Sequence, residues 1–265
     1  MDTLALHRIA KASADIGFTI GPISPDARGW LTRRALDRRV TLWLTTRSGA
    51  PIIAVDDAAL LAALGDRGAE WAGADLPVGA VGARVHAADD YAALTFTLRR
   101  LDQLAVALPP SPLREFEKAL AEVPTGIDPV TGATETEAVR RVRIGQGIYR
   151  QRLMDLWEGR CAISGLAVPE LLRASHAKPW AVCASDAERM DVFNGLLLAA
   201  HLDAAFDVGL IGVGVGGEVL VSPRLDAEAR RVLGITPDTR TVGVQSGHQA
   251  YLAWHRKEKF VNETT

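Results

Sequence analysis

The sequence predicts an α+β protein made of two units. Helical and strand periods alternate along the chain, a proline block at 109–112 interrupts it, and 265 residues suit one large domain or two modest ones. The 48% hydrophobic and 23% charged content is ordinary for a chain with a packed core, which excludes intrinsic disorder as the main state. Residues 4–14 read as a helix. Residues 40–46 and 51–55 read as strands joined by a Ser48-Gly49 turn. Residues 56–64 read as a helix capped by Asp56 or Asp57 and closed by Gly65. The alternation over 91–98 predicts another strand, completing an N-terminal α+β module over 1–110.

Pro109-Pro110-Ser111-Pro112 is a stop, 113–122 a short charged helix and 124–134 a turn-rich linker, so 111–139 separate the module from a C-terminal domain over 140–265. Apolar residues at 144, 148, 149, 153, 156 and 157 set a helical period. Residues 171–176 and 196–200 suit strands, and 202–208 a short helix ending at Gly209. Gly212-Val-Gly214-Val-Gly216-Gly217 imitates a dinucleotide-binding loop, which requires a helix to follow. Glu218-Val-Leu-Val-Ser follows instead, so 210–222 read as a hairpin.

The longest apolar runs, such as 192–202, contain Asn194 and His201 and fall short of the ~18 residues of a membrane helix. No membrane partner and no secretory signal are expected. Two distant cysteines, Cys161 and Cys183, make no disulfide framework and fit a reducing cytoplasm. The formal net charge of −2 conceals two basic clusters. One holds Arg28, Arg33, Arg34, Arg38 and Arg39, and taken alone reads as a solvated helix face. The other holds Arg140, Arg141, Arg143, Arg150 and Arg152, with no acid among residues 140–152. Binding a polyanion needs such a local face, not a basic total.

The chemistry concentrates in residues 160–210. His176 ends one predicted strand, Asn194-Gly195 precede the next, and His201, Asp203 and Asp207 fall around the short helix. Asp203 and Asp207 are four apart and share a helix face, where they repel unless a cation sits between them. An oxygen-rich site of that kind suits a hard divalent ion, Mg²⁺ or Mn²⁺. Singly, each residue has a structural reading: a turn histidine, an Asn-Gly turn, a helix cap, a surface imidazole. Histidine, asparagine and a histidine/aspartate cluster on strand, strand and helix within about thirty residues are more informative together.

In these residues the chain resembles the HNH endonucleases, whose site is a ββα-metal motif: a hairpin crossed by a helix with one divalent cation between them. The flanks resemble a restriction-endonuclease-like branch. They include Tyr149-Arg150 and Leu153, Cys161-Ala-Ile-Ser-Gly165, Ser175-His-Ala-Lys-Pro-Trp180, Asn194-Gly-Leu-Leu-Leu, and Phe206-Asp207-Val-Gly209-Leu-Ile. Tyr251-Leu-Ala-Trp254-His255-Arg256 and Phe260 continue the likeness, which spans roughly 140–260 and leaves 1–135 without one. The resemblance implies a metal-dependent endonuclease acting on double-stranded DNA and leaving 5′-phosphate and 3′-hydroxyl ends. It implies a catalytic set of His176, Asn194 and His201. In it His176 is the general base, and Asn194 holds the hairpin or the histidine. His201 is open between binding metal, contacting phosphate and filling the family's third letter. Asp203 and Asp207 would bind the metal, and Arg150, Arg152 and Lys178 the DNA backbone.

Ser175 stands where many relatives carry an acidic or histidine ligand, which leaves the metal to the helix side and water. Ser164 stands where a zinc-stapled relative has a second cysteine, so no structural zinc is expected and Cys161 reads as core. A nuclease core this small reads mostly backbone. Target choice, and with it a restriction or defence role, would then fall to the N-terminal module. Its Trp30, Trp43, Trp71 and Tyr91 could cage a flipped or modified base, or form core. Cutting both strands would need a homodimer or two successive nicks. Competing readings are a non-catalytic DNA-binding protein on a degenerate HNH scaffold, and a defence effector whose N-terminal module binds a protein partner.

Overall fold

The structure, a computed structural model, describes residues 3–73, 75–122 and 137–263. Helix and strand are mixed throughout, as the α+β expectation requires. The chain divides into two compact units, Met1–Val106 and Ala107–Thr265. The linker expected at 124–134 lies outside the described residues.

In the first unit, α1 (Thr3–Ala14) buries Ala5, Ile9 and Ala12 along one face. β1 (Leu31–Arg34), β2 (Thr41–Arg47) and β3 (Ala50–Val55) form an antiparallel meander. Its β2–β3 turn uses Ser48 and Gly49, both at positive φ, as a two-residue hairpin demands. Asp57 caps α2 (Ala58–Ala63), accepting from Ala59 N and Leu60 N. β4 (Ala69–Glu70) and β5 (Gly82–Val85) complete a sheet of order β1-β2-β3-β5-β4.

The strand expected at 91–98 is instead the start of α3 (Tyr91–Ala107). The alternation of Tyr91, Ala93, Thr95 and Thr97 is overridden by Leu94, Leu98, Leu101 and Leu104, all fully buried at helical spacing. Asp90 Oδ1 accepts from Ala93 N and starts the helix. The Arg28–Arg39 cluster is likewise no helix face, since it sits on β1 and its flanks. Arg33 turns inward and donates to Pro22 O and Thr32 O, and Arg38 bonds Asp37 and Asp102. Arg34 and Arg39 stay exposed. Trp43 and Trp71 pack against a core of Trp30, Ile52, Ala54 and Ala83, so the three tryptophans are core.

In the second unit, α4 (Ser111–Glu122) packs on α5 (Glu137–Leu156), which begins seven residues before the period that predicted it. β6 (Leu172–His176) pairs antiparallel with β7 (Gly195–Ala199), in register from Leu172↔Ala199 to His176↔Gly195. All five β7 residues are buried, which explains the unbroken leucine run. The connection between these strands carries the one-turn helix α6 (Asp186–Arg189). α7 (Ala200–Asp207) follows β7 directly and packs on β6. β8 (Ile211–Val213) and β9 (Val219–Val221) form the hairpin expected from the glycine-rich turn. α8 (Ala227–Val232) and α9 (Gln249–Glu258) complete the unit. No helix among the described residues is long and apolar enough to cross a membrane.

Candidate active site

His176 is the last residue of β6, and α5 and the β6–β7 connection enclose its ring. Tyr149 of α5 stacks on it, with centroids 3.8 Å apart and planes 16° apart. Trp180 meets it edge-on at 6.0 Å. Two glycines make room for this box. A Cβ on Gly145 would lie 2.3 Å from the Trp180 ring, and one on Gly195 would lie 1.9 Å from the Tyr149 hydroxyl oxygen.

His176 Nε2 lies 3.0 Å from Arg189 O. A carbonyl only accepts, so Nε2 carries the proton and Nδ1 holds the free lone pair. Among the described residues Nδ1 makes no hydrogen bond, which leaves its lone pair without a protein partner. Burial lowers the His176 pKa to about 4, with the Arg189 carbonyl opposing the shift, and the ring is neutral at pH 7. Arg189 is itself fixed: its guanidinium donates to Trp180 O, Cys183 O and Asp186 Oδ1 at 3.1, 2.7 and 3.0 Å.

Asn194 has no exposed surface. Its Oδ1 accepts from Lys178 N at 2.8 Å, and Nδ2 donates to Lys178 O, Glu188 O and Cys183 Sγ. The side chain closes the 178–188 loop, and none of these bonds goes to His176. Replacing Asn194 with alanine should cost about 3 kcal/mol, since it leaves several buried loop groups unsatisfied. Urea denaturation would check this, and a cost below about 1 kcal/mol would mean that water takes over these bonds.

α7 carries the remaining candidates. Asp203 is half-buried, and its carboxylate makes no hydrogen bond or ion pair with any described residue. His201 is exposed and equally without such partners. Residues two apart on a helix do not face each other, so His201 projects away from Asp203. Asp207 shares the Asp203 face, but the cation beside it belongs to the chain: Lys259 Nζ lies 3.5 Å from its carboxylate. Among the described residues, no group of three His, Cys, Asp or Glu side chains is placed to hold a metal ion. The donor set is therefore no closed cage. It does fit a hard cation that takes one carboxylate and draws its other ligands from water and substrate phosphate, as Mg²⁺ commonly does.

A hairpin bearing histidine and asparagine, followed by a carboxylate helix, is now placed within one unit. Residues 161–214 match the family model of HNH endonucleases. The match lies in the C-terminal half and suggests nuclease activity acting on nucleic acid. No curated protein matches the chain.

The three cations expected to meet DNA flank the HNH segment or lie within it, and all are engaged internally. Arg150 donates to Leu172 O and Pro169 O at 2.6 and 2.7 Å, tying α5 to the start of β6. Arg152 grips Glu115 of α4 with two bonds and also reaches Asp155. Lys178 pairs with Glu188 at 2.6 Å. Cys161 Sγ accepts from Ser164 N and Ala199 N, which gives the thiol a packing role beside the β6–β7 hairpin. The Arg189 carbonyl, and the Asp191 carboxylate with Tyr251 against it, were missed. A backbone acceptor leaves no trace in residue type, and a contact sixty residues apart has no local signal.

Proposed function

We propose that the C-terminal unit is a metal-dependent DNA endonuclease with His176 as general base. What carries this reading is the Nε2–H bond to Arg189 O, which leaves Nδ1 unprotonated and without a protein partner among the described residues, inside a segment matching HNH endonucleases. Nδ1 takes a proton from a water as the water oxygen attacks phosphorus. The Arg189 carbonyl then faces an imidazolium and stabilises it. The P–O3′ bond breaks and the 3′ oxygen takes a proton from solvent, leaving 3′-hydroxyl and 5′-phosphate ends. Asp203 would hold the cation, Mg²⁺ or Mn²⁺, which when bound offsets charge developing on the phosphate and the leaving oxygen. Asn194 positions the loop that supplies the Arg189 carbonyl. In this reading the cation rests on Asp203, while Asp207, on the same helix face, has Lys259 Nζ 3.5 Å from its exposed carboxylate and His201 projects elsewhere.

The reading is tested by incubating supercoiled plasmid with the protein in Mg²⁺, Mn²⁺ or EDTA, beside His176→Ala. Metal-dependent nicking or linearisation that the variant lacks supports it. A plasmid that is shifted but never cut would favour the degenerate binding scaffold.

Target choice, and a restriction or defence role in the cytoplasm, are assigned to the N-terminal unit within the same reading. Arg34 and Arg39 support it, being exposed and, among the described residues, without an acidic partner. Replacing each with alanine should weaken DNA binding uniformly across sequences and reduce the slope of log affinity against log salt by about 1 per arginine. Fluorescence anisotropy at several salt concentrations measures this, and an unchanged slope would remove both from the interface.

A further inference from the structure

α9 lies outside the segment that matches the HNH family, yet its side chains reach both halves of the candidate site. On one side, Tyr251 donates its hydroxyl to Asp191 Oδ2 at 3.0 Å. Asp191 Oδ1 accepts from Phe193 N, and Asp191 O accepts from Asn194 N, both at 2.9 Å. This carboxylate stands two residues after Arg189, whose carbonyl orients His176, and three before Asn194. Tyr251 thus fixes the end of the loop on which the imidazole's tautomer depends.

On the other side, the C-terminal part of α9 and the residues after it close the end of α7. The last carbonyls of any helix lack partners within it, and an eight-residue helix is too short to persist without tertiary support. Here His255 Nε2 donates to Phe206 O at 2.9 Å, with its ring stacked on Phe206 at 3.8 Å. Lys259 Nζ donates to Asp207 O at 3.0 Å, a cation at the negative end of the helix. Val261 N donates to Gly209 O at 2.9 Å. Gly209, at φ 75°, allows this approach, because a Cβ there would lie 2.0 Å from Lys259 O.

We propose that α9 and its tail, residues 249–261, brace the active site, with Tyr251 positioning the loop that orients His176, and His255 and Lys259 positioning the helix that presents Asp203. None of the three touches substrate; they are positioning residues. Gln249 and Arg256 of α9 bond Val215 O and Val213 O of the β8–β9 hairpin, whereas the bonds of Tyr251, His255 and Lys259 end on the segments that deliver the base's acceptor and the carboxylate. The inference rests on the nuclease reading above.

The test uses the full chain carrying Tyr251→Phe, Lys259→Met or Lys259→Arg. The readouts are single-turnover plasmid cleavage, DNA affinity, thermal midpoint and the ¹⁵N–¹H signals of the His176 ring. Tyr251→Phe removes one oxygen and keeps the packing. It should lower the cleavage rate about ten-fold or more at unchanged DNA affinity and move the His176 Nε2–H signal, because small misplacements of a catalytic group are costly. Lys259→Met should slow cleavage comparably and raise the Mg²⁺ concentration needed for half-maximal rate, with Lys259→Arg recovering most of both. Cleavage within two-fold of wild type, whatever the thermal midpoint, would reduce α9 to a purely structural helix. If wild type cuts in no metal, the nuclease reading fails on its own, and a His176 signal unmoved by Tyr251→Phe would then overturn the brace independently.

Discussion

Replacing His176 with alanine is expected to lower single-turnover cleavage by roughly 10²–10⁴-fold, the range for loss of a positioned general base, with DNA affinity nearly unchanged. The side chain contributes no charge at pH 7, because its burial holds the pKa at about 4, so its removal costs no phosphate attraction. Affinity falling together with rate would mean that the imidazole binds DNA instead. The same burial predicts the shape of the pH profile. The base works as the neutral ring, so the acid limb of cleavage should lie near pH 4 and the rate should be flat from about pH 5.5 upward, where an unperturbed histidine would lose activity below about 6.5. Tyr149→Leu opens one face of the ring to water and should move the acid limb upward. An acid limb unmoved in that variant would show that stacking on Tyr149 does not control the titration.

The parts of this site that were legible in the sequence are those decided locally. His176, Asn194 and Asp203 stand out by type and spacing. The β7 run and Gly209 mark where the helix begins and ends, because a fully buried strand must be apolar and a left-handed helix stop favours glycine. The parts that were not legible depend on which partner tertiary packing supplies. Arg150, Arg152 and Lys178 look like free cations in sequence, but two carbonyls, Glu115 and Glu188 claim them. Asp203 and Asp207 look equivalent, and only the return of α9 makes one a partner of Lys259 and leaves the other free. The Tyr91–Leu98 segment failed for a related reason: its local alternation was compatible with a strand, and only burial of leucines beyond it decided for a helix.

Acidification below about pH 6.5 should destabilise the C-terminal unit through its buried histidines. His176 and His248 are both buried with pKa values lowered to about 4, and burial also lowers that of His255. His248 sits between Trp157 and Phe193, with Nδ1 accepting from Gln245 N and Nε2 buried without a partner. In the unfolded chain these rings titrate near 6.5. Between pH 6.5 and about 4 the unfolded state therefore binds protons that the folded state refuses. Stability rises with pH across that window and is lost as pH falls through it. At pH 4.5 the loss relative to pH 7 is about 2–3 kcal/mol for each of His176 and His248, a large share of what a domain of this size holds in reserve. His248→Phe separates this from general acid effects. It keeps the aromatic packing and sacrifices the Gln245 bond, so the variant should be about 1 kcal/mol less stable at pH 7, yet lose less on going to pH 4.5. Urea denaturation at both values, with hydrogen exchange followed across residues 107–265, reads the difference. If wild type and variant lose the same stability over that interval, His248 takes up its proton in the folded chain as readily as in the unfolded one, and Nδ1 is not held as an acceptor by Gln245 N.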